Sequence, residues 1–255
     1  MQHLIETQQF DREALTKLFD LATSLEGKRD ESLRGKILAT LFFEPSTRTR
    51  LSFESSMYRL GGHVISMENA SESSSSTKGE TIEDTIRIVD NYADVIVMRH
   101  PEAGAAERAA KVSEVPIING GDGAGQHPTQ AFLDLYTISR EIGRTDNFHI
   151  AFVGDLKYGR AARSLAYLLG RYDNVRMTFV SAPQLKMGDD IKEYLSRHNV
   201  AFTETESMSE AMRESDVVYQ TRVQKERFPS QEEYEKFKGA YVIDRAAADS
   251  MKDGA

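Results

Sequence analysis

The chain has 255 residues, no cysteine, a formal net charge of -8 at pH 7, and 40% hydrophobic and 28% charged residues. That length suits two ordinary domains with real cores; the missing cysteines exclude disulfide scaffolds, thiol nucleophiles and cysteine metal sites, and the acidic balance argues against bulk nucleic-acid binding. No apolar run approaches the roughly 20 residues a bilayer span needs, the six histidines fall into no ligand-spaced cluster that would hold a metal, and MQHLIETQQFDREALTKLF (1–19) lacks the basic and apolar regions of a secretory signal, so a cytoplasmic protein is expected.

Short β-branched and aromatic runs alternate with segments of helical period, the pattern of parallel sheets covered by helices. In chain order, strands are predicted at KILATLFF (36–43), HVISME (63–68), DVIVMR (94–99) and VPIIN (115–119), with helices near 47–60, 80–92 and 104–112 between them. A helix then covers about 129–142, where Ala131, Leu135, Ile138 and Ile142 share one face. EIGRTDN (141–147) is the natural hinge, because Gly143 and the polar residues after it end one helix before a new buried strand. Domains are therefore expected at 1–143 and 144–255. The second half restarts with strands at 149–154, 175–181, 201–205, 216–221 and 240–244, helices near 159–171, 188–198, 207–214 and 231–238, and a closing helix after AYVID. The expected fold is α/β: two doubly wound domains, each with a central parallel sheet flanked by helices.

Basic and hydroxyl residues gather where these strands end. In FFEPSTRTRLSFE (42–54), Ser46 is placed to cap a helix and Thr47, Arg48 and Thr49 lie in its first turn. Two readings stay open there: a capped helix with solvated arginines, or an anion site built from unpaired N–H groups, hydroxyls and a guanidinium fork. The segment is neither a Walker loop nor a dinucleotide fingerprint, so the anion is small. MRHPEAG (98–104) brings Arg99 and His100 to a strand's carboxyl end, and GDGAGQHPTQAF (121–132) leads through glycines to His127 and Gln130. FVGDLKYGRAARSLA (152–166) delivers Lys157, Tyr158 and Arg160, and DVVYQTRVQKER (216–227) delivers Arg222, Gln224, Lys225 and Arg227. The serine-rich NASESSSSTKGE (69–80) reads either as a solvated loop or as a mobile functional loop carrying Lys78.

FFEPSTRTRLSFE, SSSSTKGET, VIVMRHP, QHPTQAFLDLYT, VGDLKYGRAARSLA and TRVQKER occur in this order across essentially the whole chain. Together they resemble the catalytic chains of the carbamoyltransferase family. STRTR and HPTQ belong to the wider family, while KGET, GDLKYGR and TRVQKER point to its aspartate branch. The resemblance implies transfer of a carbamoyl group from carbamoyl phosphate to the amino group of L-aspartate, in pyrimidine synthesis, without a cofactor, in a site at the interdomain cleft. By that resemblance Ser46, Thr47, Arg48, Thr49, Ser74 and Arg99 hold the phosphate, and Thr49, Arg99 and His127 donate to the carbonyl oxygen. Gln130 binds the carbamoyl amide; Lys78, Arg160, Arg222 and Gln224 bind aspartate. Arg48, Thr49, Lys78, Arg99 and His127 form the catalytic set, and Glu44 and Arg50 flank it in supporting roles.

The resemblance also implies a homotrimer in which Ser74 and Lys78 reach the neighbouring subunit's site, and it leaves open whether regulatory chains attach. One departure stands out. The family's later His-Pro-Leu-Pro segment and final helix have no counterpart before Ala255. The alternative expectation is therefore an inactive, truncated chain that only binds anions or acts as a scaffold.

Overall fold

The computed structural model describes residues 3–68, 79–223, 225, 228 and 230–255. The chain divides into two compact units, Met1–Thr129 and Gln130–Ala255. The expected hinge at 141–147 falls within the residues of the second unit, as does most of the helix before it.

The first unit holds β1 (Ile37–Phe42), β2 (His63–Glu68), β3 (Val95–His100) and β4 (Ile117–Asp122), all parallel, in the order β2-β1-β3-β4. Period-two alternation along β1 feeds two cores. Ala39, Leu41 and Phe43 pack with Ile86, Ile96, Met98 and Ala106 on one face, while Leu38 and Phe42 pack with Met57 and Val97 on the other. Among the described residues of this unit the α-helices are α1 (Arg12–Leu25), α2 (Thr47–Arg59), α3 (Ile82–Val89) and α4 (Ala105–Val112). α2 supplies Met57 to one face, and α3 and α4 supply Ile86 and Ala106 to the other. The sheet is therefore covered on both faces, as its near-continuous apolar strands require.

No predicted element covers α1, although its signals are local. Asp11 accepts a hydrogen bond from the Ala14 N–H at 2.8 Å, and Leu15 is buried. Leu4 forms an isolated parallel bridge with Ile118, which ties the first residues to β4. β4 also runs three residues past its predicted end, taking Gly120 and Gly121 into the strand.

The second unit holds α5 (Pro128–Ile142), β5 (His149–Val153), α6 (Arg160–Leu169), β6 (Arg176–Val180), α7 (Asp189–Arg197), β7 (Ala201–Thr205), α8 (Met208–Glu214) and β8 (Val217–Gln220). α5 begins two residues before the unit boundary. The strands are parallel in the order β7-β6-β5-β8. Ala151, Val153 and Val180 pack with Ala211 on one face. On the other, Phe202, Phe179, Phe152 and Tyr219 form a stripe across all four strands, with ring centroids 5.5–5.9 Å apart between neighbours.

The expected strand at 240–244 is not formed; the segment is turn and coil between α9 (Gln231–Glu235) and α10 (Arg245–Asp249). Tyr241 explains why. Its backbone carbonyl accepts from the Gln220 side chain, and its hydroxyl accepts from the Ala182 N–H just past β6. Side-chain bonds to two different strand ends take the place of a ladder along β8, and Gly239 at φ 77° turns the chain just before.

Candidate active site

In open parallel sheets ligands bind outside the strands' carboxyl ends, where the strand order reverses. In the first unit that point lies between β1 and β3. The residues following β1 there are Glu44 to Thr49, and β3 contributes Arg99. Arg99 Nε donates to Glu44 Oε1 at 2.8 Å, and its Nη1 donates to Thr49 Oγ1 and to the Gly120 carbonyl, each at 3.4 Å. The Arg99 and Glu44 side chains are only 16% and 19% exposed, so the guanidinium plane is held firmly rather than waving in solvent.

Ser46 bears on the two sequence readings of STRTR. It occupies the N-cap position of α2 with extended backbone, yet its side chain makes no capping hydrogen bond. The hydroxyl and the first-turn N–H groups thus remain available to a ligand. Arg48 is exposed and, among the described residues, its guanidinium has no ion-pair partner. A cation in a helix's first turn is electrostatically misplaced unless an anion sits there. The other helices sharpen the contrast. Among the described α-helices of seven or more residues, only α2, α5 and α6 lack an acidic residue in the first turn. These three carry Thr47 to Thr49, Gln130 and Arg160.

His127 immediately precedes α5 and is 7% exposed, with its Nδ1 3.4 Å from Thr129 Oγ1. The loop that presents it is braced by buried Asp122, which accepts from the N–H groups of Gly104 (2.7 Å) and Gln126 (2.9 Å) and from the Asn119 amide (3.1 Å). Gln126 in turn accepts from the Thr7 N–H at 3.0 Å and donates to Gln8. His100 serves the local turn instead. Its Nδ1 accepts from the Glu102 N–H at 3.0 Å, its ring leans on Phe43, and burial lowers its pKa. Arg50 pairs with Glu68 at 2.9 Å and Glu54 at 3.7 Å, bracing α2 against β2.

The second unit's reversal point lies between β5 and β8, which present Arg160 and Arg222 beyond their ends. The two ends approach closely. Thr221 Oγ1 donates to the Asp155 carbonyl at 3.1 Å, and Gly154, at φ 117°, leaves no room for a Cβ, which would stand 2.2 Å from the Thr221 carbonyl oxygen. Arg160 opens α6 and is 8% exposed. Arg222 lines a cavity of about 190 Å3 together with Thr221, Tyr234, Lys238 and Tyr241.

Gln130 donates through Nε2 to Asp134 Oδ1 at 2.8 Å, and Tyr219 donates its hydroxyl to Asp134 Oδ2 at 2.8 Å. Burial raises the Asp134 pKa, against the two hydrogen bonds that lower it, and burial next to Asp134 raises that of Tyr219. Motif reading missed Asp134 and Tyr219. The i,i+4 Gln-to-Asp spacing on a helix was the available signal for the first; nothing local marks the second. Ser74, Lys78, Gln224 and Arg227 lie outside the described residues. Among the described residues no His, Asp and Glu side chains group to hold a metal ion, and no helix is long and apolar enough to cross a membrane.

Residues 2–140 match the family of aspartate/ornithine carbamoyltransferase, carbamoyl-P binding domain, and residues 146–255 match the corresponding Asp/Orn binding domain. The chain is 52% identical to a chloroplastic aspartate carbamoyltransferase of Oryza sativa subsp. japonica, over 97% of this chain and 71% of that protein. Its fold superposes on the catalytic subunit of Methanocaldococcus jannaschii aspartate transcarbamoylase with a TM-score of 0.89 and 52% identity, covering 99% of this chain and 84% of that one. Trypanosoma cruzi aspartate transcarbamoylase in complex with N-(phosphonacetyl)-L-aspartic acid gives a TM-score of 0.92 at 40% identity, covering 99% and 82%.

Proposed function

The chain belongs to the aspartate/ornithine carbamoyltransferase family, and we infer that within it this protein is an aspartate carbamoyltransferase. It transfers the carbamoyl group of carbamoyl phosphate to the amino group of L-aspartate, giving N-carbamoyl-L-aspartate and phosphate for pyrimidine biosynthesis. The observation that carries this reading is the uncapped, acid-free start of α2, with Ser46 to Thr49 beside the braced Arg99 guanidinium.

Carbamoyl phosphate already carries a good leaving group, so the protein's work is to hold and polarise. Ser46, Thr47, Arg48, Thr49 and Arg99 take the phosphate oxygens, with Ser74 completing the set. Thr49, Arg99 and His127 donate to the carbonyl oxygen as it gains charge, each such donor contributing about 2.7–4 kcal/mol in the transition state. Gln130 binds the carbamoyl amide. Arg160, Arg222, Gln224 and Lys78 take the two carboxylates of aspartate by guanidinium, amide and ammonium contacts. Holding the amine about 3–3.5 Å from the carbonyl carbon supplies much of the rate. The departing phosphate accepts the amine's proton. We assign carbamoyl phosphate to residues 1–143 and aspartate to 144–255, with Gln130 on the linking helix.

The arginines at the second unit's strand ends favour a dicarboxylate over ornithine, whose side chain is cationic. Radiolabelled carbamoyl transfer tests this choice: label passing to aspartate supports it, and label passing only to ornithine overturns it. Arg48→Ala is expected to abolish carbamoyl phosphate binding in calorimetry while the circular dichroism spectrum stays unchanged; unaltered affinity refutes the phosphate site.

Homotrimers with shared sites belong to the same proposal, Ser74 and Lys78 being supplied by a neighbouring copy. What supports assembly is the exposure of Leu51 and Tyr58 on α2 and Ile65 on the edge strand β2, surface that a partner would cover. A cytoplasmic address and attached regulatory chains are further parts of the proposal, tested by cell fractionation and by co-purification.

A further inference from the structure

We propose that Asp134 and Tyr219 are positioning residues that fix the side-chain amide of Gln130 so that it accepts, rather than donates, a hydrogen bond from the substrate. The site then selects a carbamoyl group by its NH2. The inference rests on the reading of Gln130 as the carbamoyl ligand.

Donor and acceptor inventories set the amide's orientation. An ionised carboxylate only accepts, so the Gln130 group facing Asp134 Oδ1 at 2.8 Å is the NH2, and the carbonyl Oε1 is turned to the other side. Gln130 is the third residue of α5 and Asp134 lies one turn on, so the pair stands on a single rigid element. Asp134 is itself fixed from outside the helix, because the Tyr219 hydroxyl donates to Oδ2 at 2.8 Å. Tyr219 is the end of the aromatic stripe, 5.5 Å from the Phe152 ring, and sits on β8 three residues before Arg222. Each carboxylate oxygen thus has one donor, and the chain of bonds runs from the sheet through Asp134 to the amide. Desolvation raises the pKa of Asp134 and outweighs the two hydrogen bonds, which act to lower it; in both bonds the carboxylate is the acceptor.

A carbonyl oxygen fixed in this way accepts from a substrate N–H and finds no partner on a methyl group of the same size. The unpaired acceptor then costs affinity. Asp134 therefore never touches substrate yet sets what the site tolerates there.

The test compares two stable probes by calorimetry: phosphonoacetamide, which carries the NH2, and 2-oxopropylphosphonate, which carries a methyl in its place. Inorganic phosphate serves as reference. The unaltered chain is expected to bind the amide about tenfold more tightly than the ketone. In Asp134→Leu that ratio falls to about one while phosphate affinity changes less than twofold. Asp134→Asn, whose Oδ1 still accepts from Gln130, is expected to restore most of the preference, which a purely structural role for the charge would not allow. Tyr219→Phe is expected to lower the ratio about threefold and decides the matter if the leucine variant does not fold. An undiminished ratio in Tyr219→Phe and in any folded Asp134→Leu overturns the relay alone. Failure of the unaltered chain to bind either phosphonate or phosphate overturns the functional reading beneath it.

Discussion

Ser46 stands at the N-cap of α2 and its side chain makes no capping hydrogen bond, which bears on whether the segment is a structural helix start or the proposed anion site. Thr81 offers the contrast within the same unit: its Oγ1 accepts from the Asp84 N–H at 3.1 Å, and Glu83 and Asp84 complement the helix's positive end. Thr81→Ala is expected to cost about 1 kcal/mol of stability, as loss of a cap normally does. Ser46→Ala is expected to cost almost none, since no capping bond is lost, while weakening phosphate binding several-fold. Urea denaturation and calorimetry on the same two variants check both halves; a normal capping penalty at Ser46 would return the segment to the structural reading. Arg99 complements Ser46. Glu44, beside it, sets the plane of its guanidinium, so Glu44 acts on the site through Arg99's orientation.

At the scale of elements, the second sheet shows how a buried histidine registers pH. His149 opens β5 at 4% exposure, with Nδ1 3.2 Å from the Glu214 carbonyl and Nε2 2.7 Å from Thr178 Oγ1. A carbonyl only accepts, so Nδ1 carries the proton, and the Thr178 hydroxyl is able to donate to Nε2 of a neutral ring. Burial lowers its pKa below the ordinary value of 6.5, and Arg176 nearby acts in the same direction. The unfolded chain therefore binds more protons than the folded one once pH falls below 6.5, and stability is lost from there downward toward the folded pKa. The thermal midpoint is expected to fall as pH drops below 6.5, with a smaller fall in His149→Gln. Identical pH slopes for the two proteins would remove His149 as the cause. The missing strand at 240–244 belongs to this scale too. Its β-branched and aromatic residues satisfy a strand pattern, but Tyr241 is held by the ends of β6 and β8 rather than alongside β8.

For the whole molecule, the proposed sharing of sites makes a prediction that no single chain can meet. Mixing Arg48→Ala chains with Lys78→Ala chains is expected to restore part of the lost activity, because some assembled sites would receive both native residues. Absence of recovery, with trimers verified by mass in solution, would count against Lys78 acting in a neighbour's site. The exposed apolar residues of α2 and β2 give assembly a physical motive, since burying them removes about 25 cal/mol per Å2 of unfavourable apolar exposure.

The alternation of strand and helix, the basic and hydroxyl clusters at strand ends and the family membership were all legible in the sequence. Each rests on local periodicity or on a contiguous motif, and period two or 3.6 is a property of neighbours along the chain. Tertiary structure decided the rest. The orders β2-β1-β3-β4 and β7-β6-β5-β8 place Arg48 with Arg99, and Arg160 with Arg222, at points of reversal. Strand order depends on which edges meet after the crossovers fold back, a long-range choice that no window of sequence contains. The same reason hid Tyr219 from motif reading: 85 residues separate it from Asp134, and only the closing of β8 against β5 brings its hydroxyl within 2.8 Å of that carboxylate.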